Sequence, residues 1–196
     1  MRSVAPRGDA PSPCVRRNRF AMILVRKASL ADIPAITAIY AAEVRERVNT
    51  YEYDSPDAAE IQRRMRAVLD GGFPYLVAEL DGEVGGYGYA SSFRARAGYR
   101  FTVENSVYVA AGMQGRGLGA ALLGALIEAC TSRGFRQMIA VIGEPANIAS
   151  IRLHERFGFR HAGTLPGIAW KHGRWLDTVF MQRALGAGNG EPPEGT

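Results

Sequence analysis

Cysteine is scarce in this chain: Cys14 and Cys130 are the only two in 196 residues. Two such distant thiols make neither a disulfide framework nor a metal spacing, which points to a reducing, cytoplasmic compartment. The three histidines, His154, His161 and His172, form no zinc pattern, so no metal is expected. No apolar run reaches transmembrane length, and the N-terminal stretch lacks the apolar core of a signal peptide. Membrane partners are therefore not expected. The net charge is +5, but Arg2, Arg7, Arg16, Arg17 and Arg19 crowd into the first twenty residues. The rest of the chain is only mildly basic. No basic stripe with interleaved aromatics appears, which argues against nucleic acid and leaves an anionic small molecule as the suitable partner.

What is present fits one globular domain. Hydrophobic content is 47% and charged content 22%, both ordinary for a soluble fold with a sizeable core. Residues 1–21 read as a Pro- and Arg-rich disordered extension, consistent with an upstream start codon because Met22 directly precedes the strand-like Ile23–Arg26. An Arg-rich, acid-poor transit peptide is the alternative. Ser29 and Asp32 make a capping-box-like start to a helix running to about Arg47. Ala58 to Leu69 is a second helix. Tyr75 to Leu80, a tight turn at Asp81-Gly82 and Glu83 to about Ser91 form a hairpin, in which Gly85, Gly86 and Gly88 predict a bulge or close packing. A basic loop follows to Arg100. Later come a buried strand from Gln137 to Ile142, a helix capped by Asn147, and a hairpin about His172-Gly173 whose Trp170, Trp175 and Phe180 are expected to pack within it. Residues 22–185 form the expected domain and 186–196 a polar, disordered tail.

The chain is organised around Glu104 to Leu123, ENSVYVAAGMQGRGLGAALL. A β-branched and aromatic strand runs into a glycine-rich loop, and the loop into a helix with Leu118, Leu122 and Leu126 at helical spacing. The first turn of a helix leaves N–H groups unpaired, and its dipole adds positive potential. Strand, glycine loop and helix start therefore make a phosphate site. A nucleotide P-loop needs Lys-Ser or Lys-Thr after its last glycine, and Ala120-Ala121 exclude it. Gly115-x-Gly117-x-x-Ala120 formally fits a dinucleotide fingerprint, with Glu144 near the ribose-binding position. The antiparallel meander expected upstream disagrees with that reading.

The remaining reading is Gln-x-x-Gly-x-Gly, Gln114 to Gly119, which resembles the pyrophosphate loop of the GCN5-related N-acetyltransferases. The resemblance extends over about Ile23 to Leu185. Glu104-x-Ser106 on the strand, His154-Glu-x-x-Gly158-Phe159 at a helix end and the hairpin Trp170 to Asp177 together resemble the phosphinothricin and methionine sulfoximine acetyltransferase branch. The resemblance implies an α/β fold with a mixed, mostly antiparallel central sheet flanked by helices. It also implies acetyl-coenzyme A as cosubstrate, a small amino-acid-like amine as acceptor, and a homodimer.

By the same resemblance, Val107, Tyr108, Val109, Gln114, Gly115, Arg116, Gly117, Leu118, Gly119, Ala120 and Asn147 hold the cofactor. A backbone N–H near Val109 polarises the thioester, and Asn147 touches the pantetheine arm; an N-cap explains Asn147 equally well. Amide formation needs a base for the ammonium and a proton for the leaving thiolate. Glu104 is the candidate base, and its strand face also carries Ser106 and Tyr108. His154 is either the general acid or a structural helix histidine. Arg94, Ala95 and Arg96, with Glu104, Asn105 and Ser106, are the expected acceptor contacts, because arginine forks suit carboxylate and phosphinate oxygens. Relatives in the branch carry Glu-His-Ser and Arg-Pro-aromatic where this chain has Glu104-Asn105-Ser106 and Arg94-Ala95-Arg96, which leaves the acceptor's identity open. Rival functions are acetylation of peptide N-termini or polyamines, and a non-catalytic acyl-coenzyme A sensor. The sensor would keep the glycine loop but need not keep Glu104.

Overall fold

The computed structural model describes residues 22–193, so the expected N-terminal extension lies outside the described residues. Strand β1 is Ile23–Lys27, β2 Tyr75–Leu80, β3 Glu83–Ser92, β4 Thr102–Val109, β5 Gln137–Ile142, β6 Arg160–Lys171 and β7 Arg174–Ala184. Helices are α1 Ile33–Glu46, α2 Ala58–Asp70, α3 Leu118–Thr131 and α4 Ile148–Arg156. The strands form one sheet in the order β1-β2-β3-β4-β5-β7-β6. Every neighbouring pair is antiparallel except β4 and β5, which run parallel on either side of α3. The expected mixed, mostly antiparallel sheet is what the chain forms.

Alternation along the strands gives each face its own cover. Tyr75, Val77 and Tyr87 meet Ile33, Ile36, Ile39, Tyr40 and Val44 of α1 and Ile61 and Met65 of α2. Leu76, Ala78 and Leu80 face the other way, onto Leu118, Leu122 and Leu126 of α3. Leu123, Ile127 and Cys130 extend that layer over Met138, Ala140, Val179 and Met181. Burying a leucine of this kind stabilises by roughly 1.5–3 kcal/mol. The glycines of β3 let α3 sit close. A Cβ on Gly86 would lie 2.9 Å from the Tyr108 carbonyl oxygen and 3.2 Å from Leu122 Cδ1, and the register slips beside Gly85 as a bulge.

The start of α1 is pinned from two sides. The Asp32 carboxylate accepts from the Ser29 backbone N–H at 2.7 Å and hydroxyl at 3.0 Å. Arg26 on β1 donates to Asp32 at 2.7 and 2.8 Å and to Glu79 on β2 at 2.8 Å. Those Arg26 bonds lead in holding the Asp32 carboxyl down to about 2. At the other end of the described residues, Gly186 to Asn189 make turns rather than strand, with Gly188 N–H on the Leu185 carbonyl at 2.9 Å. Trp170 and Trp175 pair across the last hairpin. They meet edge to face at 5.3 Å yet stay 48% and 64% exposed on the outermost hairpin. Among the described residues no helix is long and apolar enough to cross a membrane.

Candidate active site

The parallel pair β4–β5 carries the site because it does not stay paired. Its register runs from Thr102 opposite Gln137 to Asn105 opposite Ala140 and stops there. Beyond that point β4 continues to Val109 beside β3, while β5 follows β7 to Ile142. The strands part and leave a cleft of about 440 Å³ between them. The end of β4, the loop Gln114–Ala120, the end of β5 and α4 line it. The Ala110 N–H goes to Gly85 of β3 at 2.9 Å. Two-residue alternation therefore turns the N–H groups of Val107 and Val109 toward the side that β5 has left.

The glycine loop closes one end of the cleft. Gly117 caps α3 in the left-handed region at φ 94°, with no side-chain cap bond. A Cβ there would pay the steric cost of that φ and stand 3.2 Å from Ile23 Cδ1. The first helical bond is Ala121 N–H to the Gly117 carbonyl at 3.0 Å. Among the described residues, the N–H groups from Gly115 to Ala120 donate to no acceptor of the chain. A row of free donors at a helix start, with no side chain over it, fits a diphosphate. The dinucleotide alternative fails here. Among the described strands only β4 and β5 are parallel neighbours, the remaining pairs being antiparallel, and Glu144 is held by Arg174 at 2.7 Å.

Alternation also sorts the catalytic candidates. Glu104, Ser106 and Tyr108 point to the face covered by α1 and α2. Tyr108 packs edge to face on Tyr40 at 5.3 Å and stacks on Tyr87 at 5.1 Å. Ser106 lies beside the Tyr89 and Tyr108 hydroxyls. Burial pushes the Glu104 carboxyl above the usual carboxylate range, and among the described residues nothing bonds to it. Asn105 points to the opposite face and is buried. Its amide donates to the Ile139 carbonyl at 3.0 Å, and its oxygen lies 3.1 Å from His154 Nε2. His154 Nδ1 lies 2.8 Å from the Ser150 carbonyl, and the ring meets Phe159 edge to face at 4.9 Å. Both ring nitrogens thus face oxygens. A neutral ring protonates only one of those contacts, while a charged ring satisfies both. Burial leads and holds the His154 pKa below its ordinary value, with the Ser150 carbonyl acting the other way.

The cleft brings together Asn105, Ser106, Val107, Tyr108, Val109, Gln114, Gly115, Gly117 to Ala120, Asn147 and His154. It does not include Arg116, which is exposed, nor Glu104, which sits where β4 is still paired with β5 at Ile139. Arg94, Ala95 and Arg96 are exposed in the β3–β4 loop, with the Arg94 guanidinium 5.2 Å from the Phe93 ring centre. They stand outside the cleft, on the stretch that leads into Thr102. Asn147 does cap α4, accepting from Ser150 N–H at 3.1 Å, and also lines the cleft. Sequence reasoning missed Glu43, Arg47 and Asn49, which line the cleft from the α1 side. The signal was there: the buried stripe Ile36, Tyr40 continues at helical spacing into Glu43 and Arg47, putting charge where apolar residues belong.

Residues 34–159 match the acetyltransferase (GNAT) family. This chain belongs to that family. The acetyltransferase is 50% identical over 163 residues, 83% of both chains, to a phosphinothricin N-acetyltransferase of Alcaligenes faecalis. It is 43% identical to an L-methionine sulfoximine/L-methionine sulfone acetyltransferase of Pseudomonas paraeruginosa, covering 82% of this chain and 94% of that one. A phosphinothricin acetyltransferase structure from Sinorhizobium meliloti, in complex with acetyl-coenzyme A, superposes with a TM-score of 0.85 at 48% identity, over 89% of this chain and 95% of that one. The open glycine loop and the parted strands of this chain fit such a cofactor. Among the described residues no group of three His, Cys, Asp or Glu side chains is placed to hold a metal.

Proposed function

We propose that this acetyltransferase moves the acetyl group of acetyl-coenzyme A directly onto the amine of a small amino-acid-like acceptor of the phosphinothricin or methionine sulfoximine type. The carrying observation is the parting of β4 and β5 beside the open glycine loop, with an unpaired carboxylate, Glu104, on the same short strand. The loop amides from Gly115 to Ala120 bind the diphosphate, and the N–H groups of Val107 and Val109 serve the arm and the thioester oxygen. The cofactor supplies an activated acyl group. The amine nitrogen forms the new bond to carbon as the carbon–sulfur bond breaks.

Glu104 takes the ammonium proton, directly or through water. Burial raises its pKa above the ordinary glutamate value, which makes it a stronger base than an exposed carboxylate. His154, on the opposite face, either supplies the proton to the leaving sulfur or holds Asn105 in place. Arg94 and Arg96 meet the acceptor's anionic group at the loop leading into β4, where their guanidinium forks have no acidic partner among the described residues.

The working unit is a homodimer in the cytoplasm. Support comes from the outer hairpin, where β6 is the edge strand and Leu165, Ile168, Trp170 and Trp175 are 45–64% exposed. Trp175→Glu should convert a dimer to a monomer in light scattering; a monomer before substitution ends that assignment. The buried free thiol of Cys130 suits a reducing compartment.

Steady-state release of coenzyme A with a panel of amines tests the whole reading. Phosphinothricin and methionine sulfoximine should be turned over with kcat/KM well above spermidine and a short peptide. A peptide at the top of the panel would move the acceptor class. Tight acetyl-coenzyme A binding with no turnover of any amine would leave the sensor function.

A further inference from the structure

Three side chains from the end of α1 cross the cofactor cleft. Glu43 is 4% exposed and accepts from Asn49 Nδ2 at 2.6 Å. The Asn49 amide oxygen accepts in turn from Asn147 Nδ2, at the cap of α4, at 2.8 Å. On the other side, Arg47 Nε lies 3.6 Å from Glu43, and its two terminal nitrogens reach the Gln114 amide oxygen at 2.9 and 3.0 Å, with that amide turned to place its oxygen toward them. A strap therefore runs from the first residue of the glycine loop to the N-cap of α4. The backbone behind it is fixed. A Cβ on Gly143 at the end of β5 would fall 2.0 Å from the Val48 carbonyl oxygen, so the segment lies directly on that strand end. Tyr51 donates to the Gly143 carbonyl at 3.1 Å, and the buried Lys171 donates to the Thr50 carbonyl at 2.7 Å.

Within this strap Arg47 is the group with charge to spare. Its partners are one neutral amide oxygen and a loose ion pair, and its side chain remains 39% exposed. It faces the start of the loop whose amides are free. Arg116, the cation within the loop, does not line the cleft, and Arg156, which does, lies at the far end of α4.

We propose that Arg47 is a cofactor ligand: its guanidinium binds the diphosphate of acetyl-coenzyme A from the wall opposite the glycine loop, with Glu43 and Asn49 as positioning residues. The assignment rests on acetyl-coenzyme A being the occupant of the cleft. On binding, Arg47 exchanges the Gln114 amide oxygen for phosphate oxygens. A bond from a cation to one neutral oxygen becomes a contact between opposite charges, in which the fork can meet two phosphate oxygens. Lysine at the position would keep the charge and lose the fork.

Calorimetry on the full chain separates the possibilities, using coenzyme A, 3′-dephospho-coenzyme A and pantetheine as ligands. Arg47→Gln should weaken both nucleotides by roughly 10–100-fold, the usual worth of a hydrogen bond to a charged group. Pantetheine, which lacks the diphosphate, should bind Arg47→Gln as it binds the parent chain. Arg47→Lys should fall between. Unchanged nucleotide affinity overturns the proposal. Equal losses for pantetheine and coenzyme A also overturn it, because the strap would then shape the cleft without binding phosphate. A loss for coenzyme A alone moves the contact to the 3′-phosphate and overturns the assignment to the diphosphate. Failure of the parent chain to bind coenzyme A would reject the cofactor reading itself, a result distinct from all of these.

Discussion

Glu104→Gln is the substitution whose outcome the structure constrains most. The carboxylate has no bonding partner among the described residues, so the amide replaces it without breaking a bond. It also removes a charge that burial disfavours. The fold should therefore melt within a few degrees of the parent, and acetyl-coenzyme A, bound in a cleft that Glu104 does not line, should keep its affinity. Chemistry should suffer instead. An amine near its ordinary pKa is almost wholly protonated at neutral pH and cannot attack a carbonyl until a base relieves it. Loss of a general base costs roughly 10²–10⁴-fold in turnover, or about 2.7–5.4 kcal/mol of barrier. The parent rate should also fall in acid through one ionisation placed above the ordinary glutamate value of 4.5, the direction in which burial shifts this group. The variant should lack that limb. His154→Phe is the companion: an equal loss marks a proton donor, a smaller one a scaffold for Asn105. Normal turnover by Glu104→Gln at every pH would refute the reasoning and move the base elsewhere.

Other expectations come from the same geometry. Replacing Gly117 and Gly119 together with leucine should weaken acetyl-coenzyme A binding by at least tenfold in calorimetry while the variant still unfolds cooperatively; unchanged affinity removes the loop from the site. Asp32 has a folded pKa of about 2 against an ordinary 3.8, so its contribution is complete above the ordinary value and fades as pH falls toward 2. Urea unfolding should show Asp32→Asn losing about 2 kcal/mol at pH 7 and little near pH 2. Leu122→Ala, at a fully buried position between α3 and β3, should cost about 2–5 kcal/mol in the same assay.

Much of this was legible in the sequence because local signals agreed with the fold. Alternation in β2, the Ser29–Asp32 box and the Asn147 cap each depend on neighbours a few residues away. The glycine loop announced its chemistry for the same reason, since a helix start and its free N–H groups are local. What the sequence hid was relational. Nothing in Glu104-Asn105-Ser106 says that β5 leaves β4 after Asn105, so sharing one strand could not reveal that Asn105 turns to His154 while Glu104 faces α1 and α2. That Trp170 and Trp175 share the last hairpin was legible, but their exposure follows from the place of that hairpin at the sheet edge. Glu43, Arg47 and Asn49 reach the cleft across 98 residues of separation at Asn49–Asn147, beyond any local pattern.

The most direct measurement of the central claim is amide hydrogen exchange with and without acetyl-coenzyme A. The N–H groups from Gly115 to Ala120 have no acceptor among the described residues and should exchange fast when free. Adding the cofactor should slow them, together with Val107 and Val109, and leave the outer hairpin at Trp170 and Trp175 unchanged. Saturating acetyl-coenzyme A that protects some other segment and leaves the loop amides fast would contradict the account.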